Sequence, residues 1–306
     1  MYPLTFEPVY KETIWGGQAL ATLFGRELPS ARIGESWEIC AHPQGMSRIR
    51  NGSWQGKTLQ EVMSTQPALI LGEGRTAETQ FPLLIKYIDA GDDLSIQVHP
   101  DDEYAGRVER QPGKTEAWYV LQAGPGAEII YGLNEAVSRE AFIQAVREGT
   151  VEAAVRRVAV QAGDMILVPA GTVHSLLKGV AVCEIQQNSD LTYRLYDFNR
   201  TGPDGKPRML HLGKGLAVTA FGQQPALDFR QDSITCPYFS VQRQQVAGQV
   251  QDLPAGRFLI YCILQGKGQI AANGIEVPVQ AGDTVLIPAC LTAVTLTGQC
   301  QLLRIR

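Results

Sequence analysis

The chain has 306 residues, 44% of them apolar and 19% charged, which supplies a sizeable core for one large domain or two smaller ones and excludes disordered, collagen-like and heptad architectures. Its 27 Lys and Arg against 31 Asp and Glu leave a net charge of −4 without a basic stripe, which argues against general nucleic-acid binding. No apolar run approaches the ~20 residues of a membrane span, the opening MYPLTFEPVYKE lacks the pattern of a secretory signal, and the six cysteines form no CxxC pair, as expected of reduced, mostly buried thiols in a cytoplasmic protein.

Gly and Pro, 31 and 17 in number, punctuate short runs rich in Val, Ile, Leu and Tyr, the spacing of an all-β sandwich or barrel. In chain order, Thr58 can cap a short helix beginning LQEVMS, and strands follow at 83–88, 94–98, 117–122 and 127–131. Ser138 precedes a helical run, REAFIQAVREG. Thr150 precedes another, VEAAVRRV, whose Val151, Ala154, Val155 and Val158 recur at helical spacing. Strands resume at 165–168 and 180–186, then at 258–264, 269–272 and 284–287.

An internal repeat organises these elements. QAGDMILVPA at 161–170 returns as QAGDTVLIPA at 280–289, and YVLQ at 119–122 is echoed by CILQ at 262–265. The first copy carries extra residues, the helical stretch near 134–160, so one β-unit is used twice. In the first copy Gly163, Pro169, Gly171 and His174 fit G(x)5PxG(x)2H, the second signature of the cupin family, where a tight turn delivers the histidine into the barrel. The first signature is looser: Gly91 leads to Gln97 and His99, with Glu116 after a long turn. In the second copy Cys290 replaces the glycine and Ala293 the histidine, so that copy is expected to be structural. The expected fold is mainly β: two cupin-type barrels or jelly rolls, with a small helical insertion in the first. The catalytic domain is placed at 1–232 and a domain without metal ligands at 233–306.

Side chains alternate along a strand, so Gln97 and His99 face the same way. With Glu116 and His174 they converge as two imidazoles, one carboxylate and one amide oxygen, a catalytic metal arrangement with open positions. Such a set also suits an Fe(II) oxygenase. The neutral glutamine, however, leaves a charge near +1, favouring a Lewis acid, and zinc is the choice.

The sequence resembles type I mannose-6-phosphate isomerases (phosphomannose isomerases), in particular the shorter bacterial form. The resemblance rests on Trp15-Gly-Gly17, Gly34-Glu-Ser-Trp-Glu38, Phe81-Pro-Leu-Leu-Ile-Lys86, Leu94-Ser-Ile-Gln-Val-His-Pro100, Gly113-Lys-Thr-Glu-Ala-Trp-Tyr119, Pro169-Ala-Gly-Thr-Val-His174 and Ser189-Asp-Leu-Thr-Tyr-Arg194. It implies that Gln97, His99, Glu116 and His174 hold one zinc ion per chain and that Arg194 is the active-site arginine. Lys86, Ser95, Lys114, Glu184, Asp190 and Arg200 match positions lining the family's site. Interconverting an aldose and a ketose 6-phosphate moves a proton between C1 and C2, stabilises an enediolate and grips a phosphate dianion. Zinc suits the first charge, and Lys and Arg suit the second. Catalytic roles therefore fall to Arg194, Lys114, Glu184 and Asp190, with Glu184, Asp190 and a metal-linked water as candidate bases, and substrate-binding roles to Lys86, Ser95 and Arg200. Trp15, Trp37 and Trp118 read as core packing. The expected partner is a small sugar phosphate, with neither nucleic acid nor membrane. A non-catalytic sugar-phosphate- or metal-binding cupin and a cupin oxygenase are the rival readings.

Overall fold

The computed structural model describes residues 1–306 other than Ala136, Pro203, Asp204 and Gln223. Three antiparallel sheets stack in layers. The middle sheet has six strands in the order Met165–Val168, Glu116–Ala123, Val180–Gln187, Leu83–Asp89, Ile33–Ile39 and Val9–Gly17. One outer sheet has five: Val155–Ala159, Glu128–Leu133, His174–Leu176, Ile96–Val98 and Tyr193–Tyr196. The other has eight strands. These include Ser240–Asp252, Leu259–Ala272, Thr284–Ile287 and Val294–Ile305, joined at Thr284–Ile287 by the N-terminal strand Leu4–Glu7, where Leu4 lies opposite Leu286. The sheets are jelly-roll-like and do not close into barrels.

The middle sheet is buried on both faces, so its strands read as nearly continuous apolar runs, and their parity carries the function. Leu83, Ile85, Tyr87, Ala117, Tyr119, Cys183 and Ile185 point to one side, into a core shared with Ile260, Cys262 and Leu286 of the eight-stranded sheet. The opposite parity, Ile88, Trp118, Val120, Val180 and Val182, packs against Ile129, Tyr131 and Leu176 of the five-stranded sheet. Polar residues of that second parity, Lys86, Glu116 and Glu184, therefore lie between two sheets. The eight-stranded sheet has its own core, with Leu259, Tyr261 and Ile263 facing Val285, Ile287 and Leu296.

The sequence repeat is also an atomic repeat. Gly163 N–H donates to Val120 O and Gly282 N–H to Ile263 O, both at 2.8 Å. The Asp164 carboxylate accepts from Gln161 N at 2.9 Å and Asp283 from Gln280 N at 2.8 Å. Both glycines sit in the left-handed region, at φ 95° and 90°, where a side chain is strained.

The helix predicted after Thr58 is Leu59–Thr65, closed by a capping box between Thr58 and Glu61. Ser138 caps Arg139–Glu148, which ends at left-handed Gly149. The helix expected from Val151 is not formed. A 3-10 turn, Val151–Ala153, leads straight into the edge strand Val155–Ala159, whose Val158 pairs with Ile129. Backbone bonds to a waiting sheet edge outweigh the helical spacing of four small apolar residues. Runs 258–264 and 269–272, expected as two strands, form the single long strand Leu259–Ala272. Four cysteines are buried, Cys236 is half-buried and Cys290 exposed, all as free thiols.

Candidate metal centre and cavity

Gln97 lies in Ile96–Val98 directly opposite His174, which opens His174–Leu176, while Glu116 opens its strand on the facing sheet. His99, one residue past its strand, closes the ring. His99, Glu116 and His174 are fully buried, and their ligand atoms lie within 4.8 Å of one another. The His99 Nδ1–H donates to Leu191 O at 2.8 Å and the His174 Nδ1–H to Thr172 O at 2.9 Å, so both rings turn Nε2 lone pairs inward. Burial keeps them neutral. His99 is held down to about 3, by desolvation first and the Lys114 ammonium second, and burial also lowers His174.

Each Nε2 stands 3.3 Å from a Glu116 oxygen, His99 from Oε2 and His174 from Oε1, and Oε1 has no hydrogen-bond partner. The Lys114 ammonium contacts both His99 Nε2 and Oε2, but at His174 and Oε1 a neutral imidazole lone pair facing a carboxylate lone pair repels unless a cation lies between them. Burial would raise the Glu116 carboxyl, but Lys114 and the two histidines hold it well below the usual range, so it is a ready anionic ligand. Gln97 presents its amide Nε2 to His174 Nε2 at 3.3 Å, with Ser95 Oγ donating to Gln97 Oε1 at 3.3 Å. An amide ligates through its oxygen, and a half-turn of the Gln97 amide would bring that atom to the same place. The donor set fits a Lewis-acidic ion with an open coordination position.

Beside this cluster lies a cavity of about 330 Å³. Of the residues singled out in the sequence, Lys86, Ser95, Gln97, Lys114, Glu184, Asp190 and Arg194 line it. Register explains the row across its floor: Glu184 pairs with Lys86 on one side and Trp118 on the other. Lys86 Nζ lies 3.2 Å from Glu35, 3.8 Å from Glu184 and 4.0 Å from Asp190. These three carboxylates raise Lys86 against the lowering effect of burial. Glu184 is pushed up to about 7 by burial and by Glu116, while Lys114, Lys86 and the Trp118 indole N–H, 2.8 Å away, oppose the shift. Its Oε1 has no hydrogen-bond partner. A buried carboxylate poised near neutrality beside a cavity has the properties of a general base.

Lys114 precedes its strand instead of lying within it, yet Nζ reaches His99 Nε2 at 3.0 Å and also contacts Glu116 Oε2. Arg200 is not brought to the cavity wall: its guanidinium is bound to Asp197, 2.8 Å away, and to the carbonyl of Asp93. The sequence reading missed Glu35, Thr13, Thr192 and Arg208, all of which line the cavity. Glu35 could have been found by alternation, since it shares a strand face with Trp37 and accepts the Trp37 indole N–H at 2.5 Å. Trp15 and Trp118, expected as packing, also form part of the wall. A network behind the metal ligands was missed too. Thr115 N–H donates to Gln187 Oε1 at 2.9 Å, and Gln187 Nε2 donates to Asp102 Oδ1 at 2.9 Å. Asp102 also accepts from Gly113 N at 2.8 Å, which fixes the segment carrying Lys114 and Glu116.

Jelly-roll sheets enclosing a His–Glu–His cluster at the head of a polar cavity define a cupin-type metal-dependent enzyme. The family model for the phosphomannose isomerase type I catalytic domain matches residues 4–119, and that for the mannose-6-phosphate isomerase cupin domain matches residues 231–306. The chain is 41% identical to the mannose-6-phosphate isomerase ManA of Bacillus subtilis, over 97% of this chain and 96% of that one. A crystal structure of the mannose 6-phosphate isomerase from Bacillus subtilis superposes with a TM-score of 0.92 at 37% identity, covering 100% of both chains. A mannose 6-phosphate isomerase solved with zinc and yttrium shares the fold, with a TM-score of 0.78 at 17% identity over 99% of this chain and 98% of that one. The chain belongs to the type I phosphomannose isomerase family, and neither the oxygenase nor the non-catalytic reading is favoured.

Proposed function

We propose that this chain is a zinc-dependent isomerase interconverting mannose 6-phosphate and fructose 6-phosphate through an enediolate, with one zinc per chain held by His99, Glu116, His174 and the amide oxygen of Gln97. The observation that carries it is the convergence of two inward Nε2 atoms on the Glu116 carboxylate, with the Oε1 that faces His174 left partnerless, beside a cavity walled by Lys86, Lys114, Arg194 and Arg208. When bound, zinc supplies Lewis-acid stabilisation of negative charge at the substrate's C1 and C2 oxygens. The chain's own groups do the rest. Glu184 takes the proton at one carbon and returns it at the other, and Asp190 and Lys86 hold the charge balance around it. Lys114 serves as a point charge for substrate oxygens, and Ser95 orients both Gln97 and the sugar. Arg194 takes the phosphate, and Arg200 supports that positive stretch through Asp197. We also retain 1–232 as the catalytic domain and 233–306 as a ligand-free second unit, a division supported by the cupin-domain match beginning at 231. A cytoplasmic setting without nucleic-acid or membrane partners is supported by the free thiols and the net charge of −4.

The test couples fructose 6-phosphate formation to a redox readout. Turnover that chelation abolishes and zinc restores is expected. Turnover indifferent to metal removal, or none in zinc-loaded protein, overturns the reading.

A further inference from the structure

Arg208 lies in no recognisable motif, yet the chain is built to deliver it. The segment 208–211 folds back along Tyr193–Tyr196. His211 N–H donates to Arg194 O at 2.8 Å, Arg194 N–H donates to His211 Nδ1 at 3.2 Å, and Arg194 Nη1 donates to Met209 O at 2.8 Å. Arg208 is thereby set beside Arg194, and both line the cavity. Its guanidinium is locked in plane by a two-point bond to the buried Asp197, Nε to Oδ2 at 2.7 Å and Nη2 to Oδ1 at 2.5 Å.

Charge is unevenly spread around this wall. The carboxylates that line it, Glu35, Glu184 and Asp190, all lie within 4.0 Å of Lys86. Among the described residues the arginine stretch has Asp197 alone at its centre, and Asp197 also binds Arg200, whose other neighbour is the exposed Asp92 at 3.8 Å. Among the described residues Arg194 has no ion-pair partner, and its buried Nε has no hydrogen bond. Burial, and then repulsion from Arg208, lower the Arg194 pKa. Positive charge held this way, partly desolvated and short of counter-charge, is relieved by a dianion with several acceptor oxygens.

We infer that Arg208, oriented by Asp197, forms with Arg194 a paired-guanidinium seat for the phosphate group of the substrate, and that this seat sets the preference for a phosphorylated sugar. The inference rests on reading the cavity as a sugar-phosphate site. One charged hydrogen-bonding arm is worth about 1.5–3 kcal/mol, or about 10- to 100-fold in affinity.

The test uses the zinc-loaded full chain as wild type, Arg208→Met and Arg208→Lys. In Arg208→Met the KM for mannose 6-phosphate is expected to rise about 10- to 100-fold with kcat within about threefold. Binding of inorganic phosphate, read by calorimetry, is expected to weaken in parallel, and Arg208→Lys is expected to fall between the two. Phosphate affinity and KM unchanged within twofold in Arg208→Met overturn the inference. So does a fall in kcat and melting temperature without loss of phosphate affinity. Phosphate binding needs no turnover, so a wild type that binds phosphate through Arg208 without isomerising would refute the proposed reaction and support the seat.

Discussion

Glu184→Gln isolates the buried group assigned as base. The variant keeps the shape of the side chain and an oxygen for the Trp118 indole N–H, now 2.8 Å from Oε2, so the row Trp118–Glu184–Lys86 can persist. What it removes is a proton site. Displacement of Glu184 from 4.5 to about 7 corresponds to about 3 kcal/mol of linkage free energy. The sign follows from the protonated form being favoured in the folded state: Glu184 stabilises the protein fully below pH 4.5 and loses that contribution as pH rises through about 7. In chelator-treated protein, wild type should therefore lose about 3 kcal/mol more than Glu184→Gln between pH 4.5 and pH 8, as measured by urea unfolding at each pH. In the zinc-loaded enzyme the nearby cation favours the ionised carboxylate, so the acidic limb of kcat should lie below pH 7, and Glu184→Gln should lower kcat by about 10²- to 10⁴-fold. Parallel stability curves for the two proteins, or a variant retaining kcat within about fivefold, would refute this reasoning.

Gln187→Leu cuts the bridge from Thr115 to Asp102, and loss of this support behind the ligands should weaken zinc binding by about 10- to 100-fold in a competition titration against a chromogenic chelator. Trp118→Phe removes the only hydrogen-bond donor to Glu184 Oε2 among the described residues, so the acidic limb of the rate profile should move to higher pH. The two copies of the repeat should differ in mutational cost. Leu286 is fully buried between Leu4 and Ile260, and Leu286→Ala should cost about 3 kcal/mol by urea unfolding. The equivalent Leu167, only half-buried, should cost about 1 kcal/mol as Leu167→Ala.

The metal cluster was legible in the sequence because its geometry is local. Strand alternation and the glycine-turn signature fix where Gln97, His99 and His174 point, whatever the distant chain does. Doubling of the unit was legible for the same reason, since the Gly163 and Gly282 turns satisfy identical backbone bonds. What local pattern could not supply was pairing across long separations. Leu4–Glu7 joins a sheet whose partner strand begins at Thr284, and nothing in LTFE announces that. The segment 155–158 has helical spacing but meets an open sheet edge, and the edge prevails. Arg208 shows the same limit within the site. Asp197 and the pairing of Met209 and His211 with Arg194 determine its position, while Arg200, nearer the motif, is drawn away to Asp93.

The central claim is that His99, Glu116 and His174 clasp a catalytic ion. Anomalous diffraction at the zinc edge from crystals of the zinc-loaded protein tests it most directly. A single strong peak is expected at about 2.0–2.2 Å from His99 Nε2, His174 Nε2 and a Glu116 oxygen. A peak at another donor set, or none at this one in crystals whose dissolved protein contains stoichiometric zinc, would contradict it.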